Sequence, residues 1–253
     1  MVVFHSDLDN TLIYSYKHDI GSDKKCVEVY QNREVSFMTR KSYDLLKAVK
    51  EKVVFVPTTT RTQEQYERID LGIGIPRLAL VCNGGVLLAD GREDRKWYEE
   101  SLNLIMECGS ELEKSELYLE TDTFRNFEVR NIRGLFVFTK SEEPERTMAG
   151  LKDILNLSLV DVFHNGVKVY VVPKKMSKGM AVQRLGKRLE AELVIAAGDS
   201  EFDISMLHMA DIGIVPPKLK ISSGKGKKIV RADEKRLYSD WVLEYVLRDM
   251  DKI

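Results

Sequence analysis

The stretch VVFHSDLDNTLI, residues 2–13, decides how the chain is read. Val2 to Ser6 is a short, mostly apolar run that ends in an acidic turn at Asp7 and Asp9, as a buried strand would. Comparable runs recur at 53–57 (VVFVP), 78–82 (LALVC), 193–197 (LVIAA) and 212–215 (IGIV). Between them lie segments with helical spacing at 39–52, 62–71, 178–190, 203–210 and 239–252. Strands alternating with helices predict a parallel sheet with helices on both faces.

The middle third breaks this rhythm. A hairpin-like VLLADGREDRKWY opens it, followed by a helical 99–114, a segment 127–140, a helix at 143–155 and strand-like residues 159–173. Asn165-Gly166, between VDVF and KVYVV, has the composition of a two-residue hairpin turn. The expectation is an α/β core formed by residues 1–85 and 175–253, interrupted by an inserted antiparallel α+β unit at 86–174.

The composition narrows the partners. The 253 residues carry 39 basic and 40 acidic side chains, a formal charge of −1, with 43% hydrophobic positions. That balance gives no electrostatic reason to expect nucleic acid or an anionic membrane, and no apolar run is long enough to span a bilayer. The basic stretch Lys218, Lys220, Lys225, Lys227 and Lys228 reads as a solvated loop. The N-terminus has no basic start and no secretory h-region. The cysteines Cys26, Cys82 and Cys108 are odd in number and widely spaced, so a reducing, cytoplasmic location is expected. The four histidines show no zinc-ligand spacing.

Reactive residue types follow three of the strands: Asp7 and Asp9 after the first, Thr58 to Arg61 after VVFVP, and Gly198-Asp199-Ser200 after LVIAA. Ligands of open parallel sheets bind at the carboxyl ends of the strands, so these clusters can converge. Each also has a local reading. Asp7 to Thr11 can be an Asx turn, Thr60 with Gln63 a capping box, Ser200 with Asp203 a helix cap, and Lys178 a solvated cation. Their joint order at successive strand ends favours a shared site.

That order resembles the haloacid dehalogenase superfamily of phosphohydrolases. FHSDLDNTLI at 4–13 looks like its DxDxT motif, PTTTR at 57–61 its second-strand threonine, Lys178 in MSKGMAV its helix lysine, and GDSEFDISML at 198–207 its GDxxxD motif. Asn83-Gly84-Gly85 and the position of the insertion resemble the Cof-type and sucrose-phosphate-phosphatase-like branch with a type-2 cap. The resemblance implies a Rossmann-like core with an inserted cap and a Mg²⁺-dependent phosphatase acting through an aspartyl-phosphate. Asp7 would be the nucleophile and Asp9 the general acid and base, while Thr59 and Lys178 would stabilise the phosphoryl group. The metal would be held by Asp7, the Asp9 carbonyl and Asp199, with Asp203 binding directly or orienting. Thr60, Arg61 and Asn83 would contact substrate.

Two positions depart from the family's pattern: Phe202 stands where an asparagine is common, and Thr60 where a glycine is. The implied substrate is a small phosphorylated metabolite, with a sugar phosphate suggested by the branch resemblance alone, handled by a monomer or weak homo-oligomer. Arg125, Asn126, Arg130, His164, Asn165 and Lys168 are candidate contacts of the insertion. A phosphomutase with the same chemistry and a non-enzymatic phosphate-dependent switch are the alternatives.

Overall fold

The computed structural model describes residues 1–222 and 227–250. It divides into two compact units, Met1–Asp94 with the chain from Lys178 onward, and Arg95–Ser177. Lys225, one of the basic stretch, lies outside the described residues, as does the end of the helix expected at 239–252.

The first unit begins with β1 (Val2–Ser6), β2 (Tyr14–Ser15), β3 (Lys24–Tyr30) and β4 (Arg33–Thr39). The β3–β4 hairpin turns through Gln31 and Asn32, both at positive φ, as a type I′ turn requires. α1 (Arg40–Lys52) starts where the Thr39 hydroxyl accepts from the Ser42 amide at 2.9 Å, and it buries Tyr43, Leu46 and Val49 at helical spacing. Then come β5 (Val54–Pro57), α2 (Gln63–Tyr66), β6 (Leu78–Val81), β7 (Val86–Ala89) and β8 (Arg92–Glu93).

The second unit holds α3 (Arg95–Leu104), α4 (Gly109–Thr121), β9 (Arg130–Ile132), β10 (Phe136–Lys140), α5 (Pro144–Ile154), β11 (Val160–Asn165) and β12 (Lys168–Pro173). Its antiparallel sheet runs β11-β12-β10-β9, and α4 and α5 pack on it. Phe163, Tyr170 and Phe138 stack in a row across the sheet, with ring centroids 5.6 and 5.5 Å apart. The chain re-enters the first unit with α6 (Lys178–Arg188), β13 (Leu193–Ala197), α7 (Glu201–Met209), β14 (Ile212–Val215), β15 (Lys228–Arg231) and α8 (Tyr238–Met250).

The central sheet has the order β15-β14-β13-β1-β5, with every pairing parallel. Its inner strands have no polar face because helices cover both sides: Val3, Phe4, Ile195, Ala196 and Ala197 are all fully buried. β1 lies between β13 and β5, and Ser6 is in register with both Ala197 and Pro57. Three strand ends are therefore level, and the residues after each emerge side by side.

Several expectations need correction. The units divide at 94/95 and 177/178 rather than 85/86 and 174/175, because β7 pairs with β6 and β8 with β7, so that hairpin belongs to the first unit. β6 heads its own antiparallel sheet; it packs beside β5 without joining its ladder, and the chain just after β5 meets it at the Thr58–Leu80 bridge. The helix expected at 62–71 stops at Tyr66, since Ile69 bridges to Glu28 and the Asp70 amide bonds to the Val27 carbonyl. The helical 99–114 is two helices broken at Ile105–Cys108. Asn165 pairs with Lys168, so the hairpin turns at 166–167, one residue later than expected.

Candidate active site

Asp7 is the first residue beyond β1, and its amide donates to the Ala197 carbonyl at 2.9 Å, extending the strand pairing to the site. Lys178, the first residue of α6, is fully buried, and its Nζ donates to Asp7 Oδ1 at 2.5 Å and to Asp203 Oδ1 at 2.6 Å. Asp203 Oδ2 accepts from the Asp199 amide at 3.1 Å, the Ser200 amide at 3.0 Å and the Ser200 hydroxyl at 2.8 Å. The helix-cap reading of Ser200 and Asp203 therefore holds, and the same carboxylate also faces the lysine. The expected capping box of Thr60 with Gln63 is instead made by Thr62 and Gln65.

Two glycines allow this convergence. A Cβ on Gly198 would lie 2.3 Å from Asp203 Cβ, and one on Gly179 would lie 2.4 Å from the Ser205 carbonyl oxygen. Any side chain there would push α7 or α6 away and pull the carboxylates off Lys178. Tyr238 supports the floor, with its hydroxyl 3.0 Å from the Gly198 carbonyl and 2.7 Å from that of Ile214.

Asp7, Asp199 and Asp203 each offer a carboxylate oxygen, and the three oxygens lie within 4.8 Å of one another. Burial, opposed by Lys178 but reinforced by the neighbouring acids, holds the Asp7 carboxyl well above the usual range. Burial and repulsion from Asp203 push Asp199 up to about 7. Burial disfavours charge on Lys178, but Asp203 and Asp7 outweigh it, and its pKa is raised. Three carboxylates thus confront one ammonium, an excess of negative charge in a desolvated place.

The second strand end contributes unevenly. Thr58 is taken up by structure, its hydroxyl paired with His5 Nδ1 at 3.0 Å and donating to the Val56 carbonyl. Thr59 is buried, and its hydroxyl oxygen accepts from the Arg61 amide at 3.1 Å. Thr60 is partly buried, and Asn83, buried at positive φ, donates its amide to the Thr59 carbonyl. Thr11 donates to Asp199 Oδ1 at 3.3 Å. Phe202 sits partly buried on α7. Arg61 grips both oxygens of Asp9, Nε to Oδ2 and Nη2 to Oδ1, each at 2.8 Å.

A family model described as haloacid dehalogenase-like hydrolase matches residues 92–215. The order of the four motifs and the arrangement of their residues around one strand end agree with it. Over residues 92–215, just under half of the chain, the sequence is similar to the haloacid dehalogenase-like hydrolases. A phosphoglycolate phosphatase of Methanopyrus kandleri is 29% identical over 138 residues, which span 53% of this chain and 56% of that protein. Among solved structures, sucrose-phosphatase from Synechocystis in complex with sucrose and phosphate is similar, with a TM-score of 0.62, 14% identity and 99% and 98% of the two chains covered. A haloacid dehalogenase-like hydrolase from B. subtilis gives 0.58 at 16% identity over 98% and 99%.

The residues missed from the sequence are on the β3–β4 hairpin. Glu28, only 3% exposed, accepts from Arg61 Nη1 at 2.9 Å, from Arg68 Nη2 at 3.3 Å and from the Ser36 hydroxyl at 2.6 Å. A lone acid in KKCVEVY was the one available signal. The inserted-unit candidates are mostly engaged locally or exposed. Arg125 donates to the Phe127 carbonyl, Arg130 pairs with Glu128, and His164, Asn165 and Lys168 lie exposed around the β11–β12 turn. No helix among the described residues is long and apolar enough to cross a membrane.

Proposed function

We propose that the protein is a phosphomonoester hydrolase that works through a phosphoaspartate on Asp7. The observation that carries this reading is the buried Lys178, set 2.5 Å from Asp7 and 2.6 Å from Asp203 at the end of β1. Lys178 holds Asp7 by one oxygen, so its other oxygen is directed to attack phosphorus, splitting one hard hydrolysis into two displacements. The ammonium and the Thr59 hydroxyl would oppose the charge gathering on the phosphoryl oxygens. Asp9 would protonate the departing alkoxide and then deprotonate the water that opens the phosphoaspartate. Arg61 and Asn83 would line the phosphate's approach.

The donor set fits a hard divalent cation such as Mg²⁺: carboxylate oxygens only, crowded, buried and under-neutralised. Asp7, Asp199 and the Asp9 main-chain carbonyl would hold it. When bound it would supply Lewis-acid neutralisation of the phosphate. Asp203 has both oxygens committed to Lys178, Asp199 and Ser200, which suits holding those residues in place.

The names of the similar proteins, a phosphoglycolate phosphatase and a sucrose-phosphatase, support a small phosphorylated metabolite as substrate. The test is phosphate release from p-nitrophenyl phosphate and a panel of phosphorylated metabolites, with Mg²⁺ and with EDTA. Mg²⁺-dependent release is expected. No release from any of them would end this reading.

A further inference from the structure

Resting on the acid–base role proposed for Asp9, we infer that Glu28 is a positioning residue for proton transfer to the leaving group. The chain Glu28–Arg61–Asp9 runs from the interior outward, with side chains 3%, 14% and 49% exposed. Its inner end is fixed. Glu28 sits at a β-bulge in β3, where the register against β4 shifts on both sides of it, and bulges re-aim side chains. Its backbone bridges to Ile69, and its carboxylate takes donors from Arg61, Arg68 and Ser36.

A guanidinium is planar, so holding Nη1 at Glu28 while Nε and Nη2 meet Asp9 leaves one orientation for the Asp9 carboxylate. Each Asp9 oxygen keeps a second lone pair directed away from Arg61. In its acid form Asp9 gives its proton there to the leaving oxygen as the P–O bond breaks, and the attacking water later returns one.

Fold stability alone does not call for this arrangement. An apolar side chain on the hairpin would avoid burying a carboxylate, and replacements of buried ion pairs by apolar residues are often neutral or stabilising. What the buried pair adds is direction, passed through Arg61 to a residue otherwise free to rotate at the surface.

The experiment compares kcat/KM for two probes. p-Nitrophenolate leaves without needing a proton, whereas the alkoxide of glycerol 2-phosphate needs one. Glu28→Gln keeps the size and an acceptor for Arg61 but removes the charge. It should lose about tenfold or more on glycerol 2-phosphate and change little on p-nitrophenyl phosphate. Tm should fall because Arg61 and Arg68 lose their buried counter-charge, but both probes are read on the same folded protein. Equal losses on both probes, or none, would overturn the inference.

Asp9→Asn run in parallel separates the two readings. If it is selective against glycerol 2-phosphate while Glu28→Gln is not, only the role of Glu28 fails. If Asp9→Asn is not selective, the acid role fails and the inference falls with it. Should Glu28→Gln not fold, Ser36→Ala decides the question. It leaves every charge in place and removes the hydroxyl that aligns Glu28, so the same selective loss is expected at smaller size, and unchanged selectivity would reject the proposal.

Discussion

Two triads of the same makeup, carboxylate, cation, carboxylate, start from neighbouring acids at the end of β1. Asp7–Lys178–Asp203 is sealed, with no side chain more than 8% exposed, whereas Asp9–Arg61–Glu28 is anchored inside and half open at Asp9. The cation differs accordingly. Lysine puts a compact charge between two buried acids, opposing the rise that burial imposes on Asp7. Arginine contributes a flat fork that transmits orientation, and its own charge is secured because Asp9 and Glu28 outweigh burial. One triad manages charge, the other direction.

The comparison breaks first at Asp7. Asp7→Asn should lower phosphate release by more than about 10⁴-fold, because the nucleophile is gone. Turnover close to the parent protein's would refute the sealed triad's assigned role.

Next, Lys178→Met leaves two buried carboxylates facing each other. A destabilisation of about 3–5 kcal/mol in urea unfolding at neutral pH is expected, together with loss of activity. The deficit should shrink at pH 5, where protonation relieves the repulsion. An unaltered midpoint at both pH values would show that the ion pair is not what holds α6 to the strand end.

Arg61→Lys tests the open triad. One ammonium cannot meet both Asp9 oxygens and Glu28, so kcat/KM on glycerol 2-phosphate should fall by about 10–100-fold. Tm should move by less than in Lys178→Met, since the open triad's outer end is solvated.

The smallest effect is electrostatic tuning at Asp199. Its pKa is raised in the fold from 3.8 to about 7, so the folded state binds the proton more tightly than the unfolded chain. That contribution is fully present below pH 3.8 and is lost as pH rises through about 7. Relative to metal-free Asp199→Asn, the metal-free parent protein should therefore melt lower at pH 8 than at pH 5, by roughly 2–4 °C per kcal/mol involved. Mg²⁺ should recover that difference at pH 8 in the parent protein and not in the variant. Equal Mg²⁺ responses would place the cation elsewhere.

The two triads were unequally legible. Asp7, Asp9, Lys178, Asp199 and Asp203 stand in short motifs beside apolar runs; each alone also had a local reading, and it was their joint order and the resemblance it carries that singled them out. Glu28 lies in a hairpin whose bulge breaks the alternation that marks a strand, and its partner Arg61 is distant along the chain. The segment after Tyr66 has helical spacing, yet its pairing with β3 overrode that preference. β6 was recognisable as a strand from its apolar run, but sheet membership depends on which neighbour supplies the hydrogen bonds.

What the sequence by itself determined was the set of buried strands and the residue types at their ends, because periodicity and side-chain chemistry act over a few neighbours. Only the tertiary structure decided that Lys178 is shared by Asp7 and Asp203 and that Arg61 is shared by Asp9 and Glu28. Whether a charge is tolerated in the interior depends on the distance to its counter-charge and on the water excluded around it, and both are properties of the packed chain.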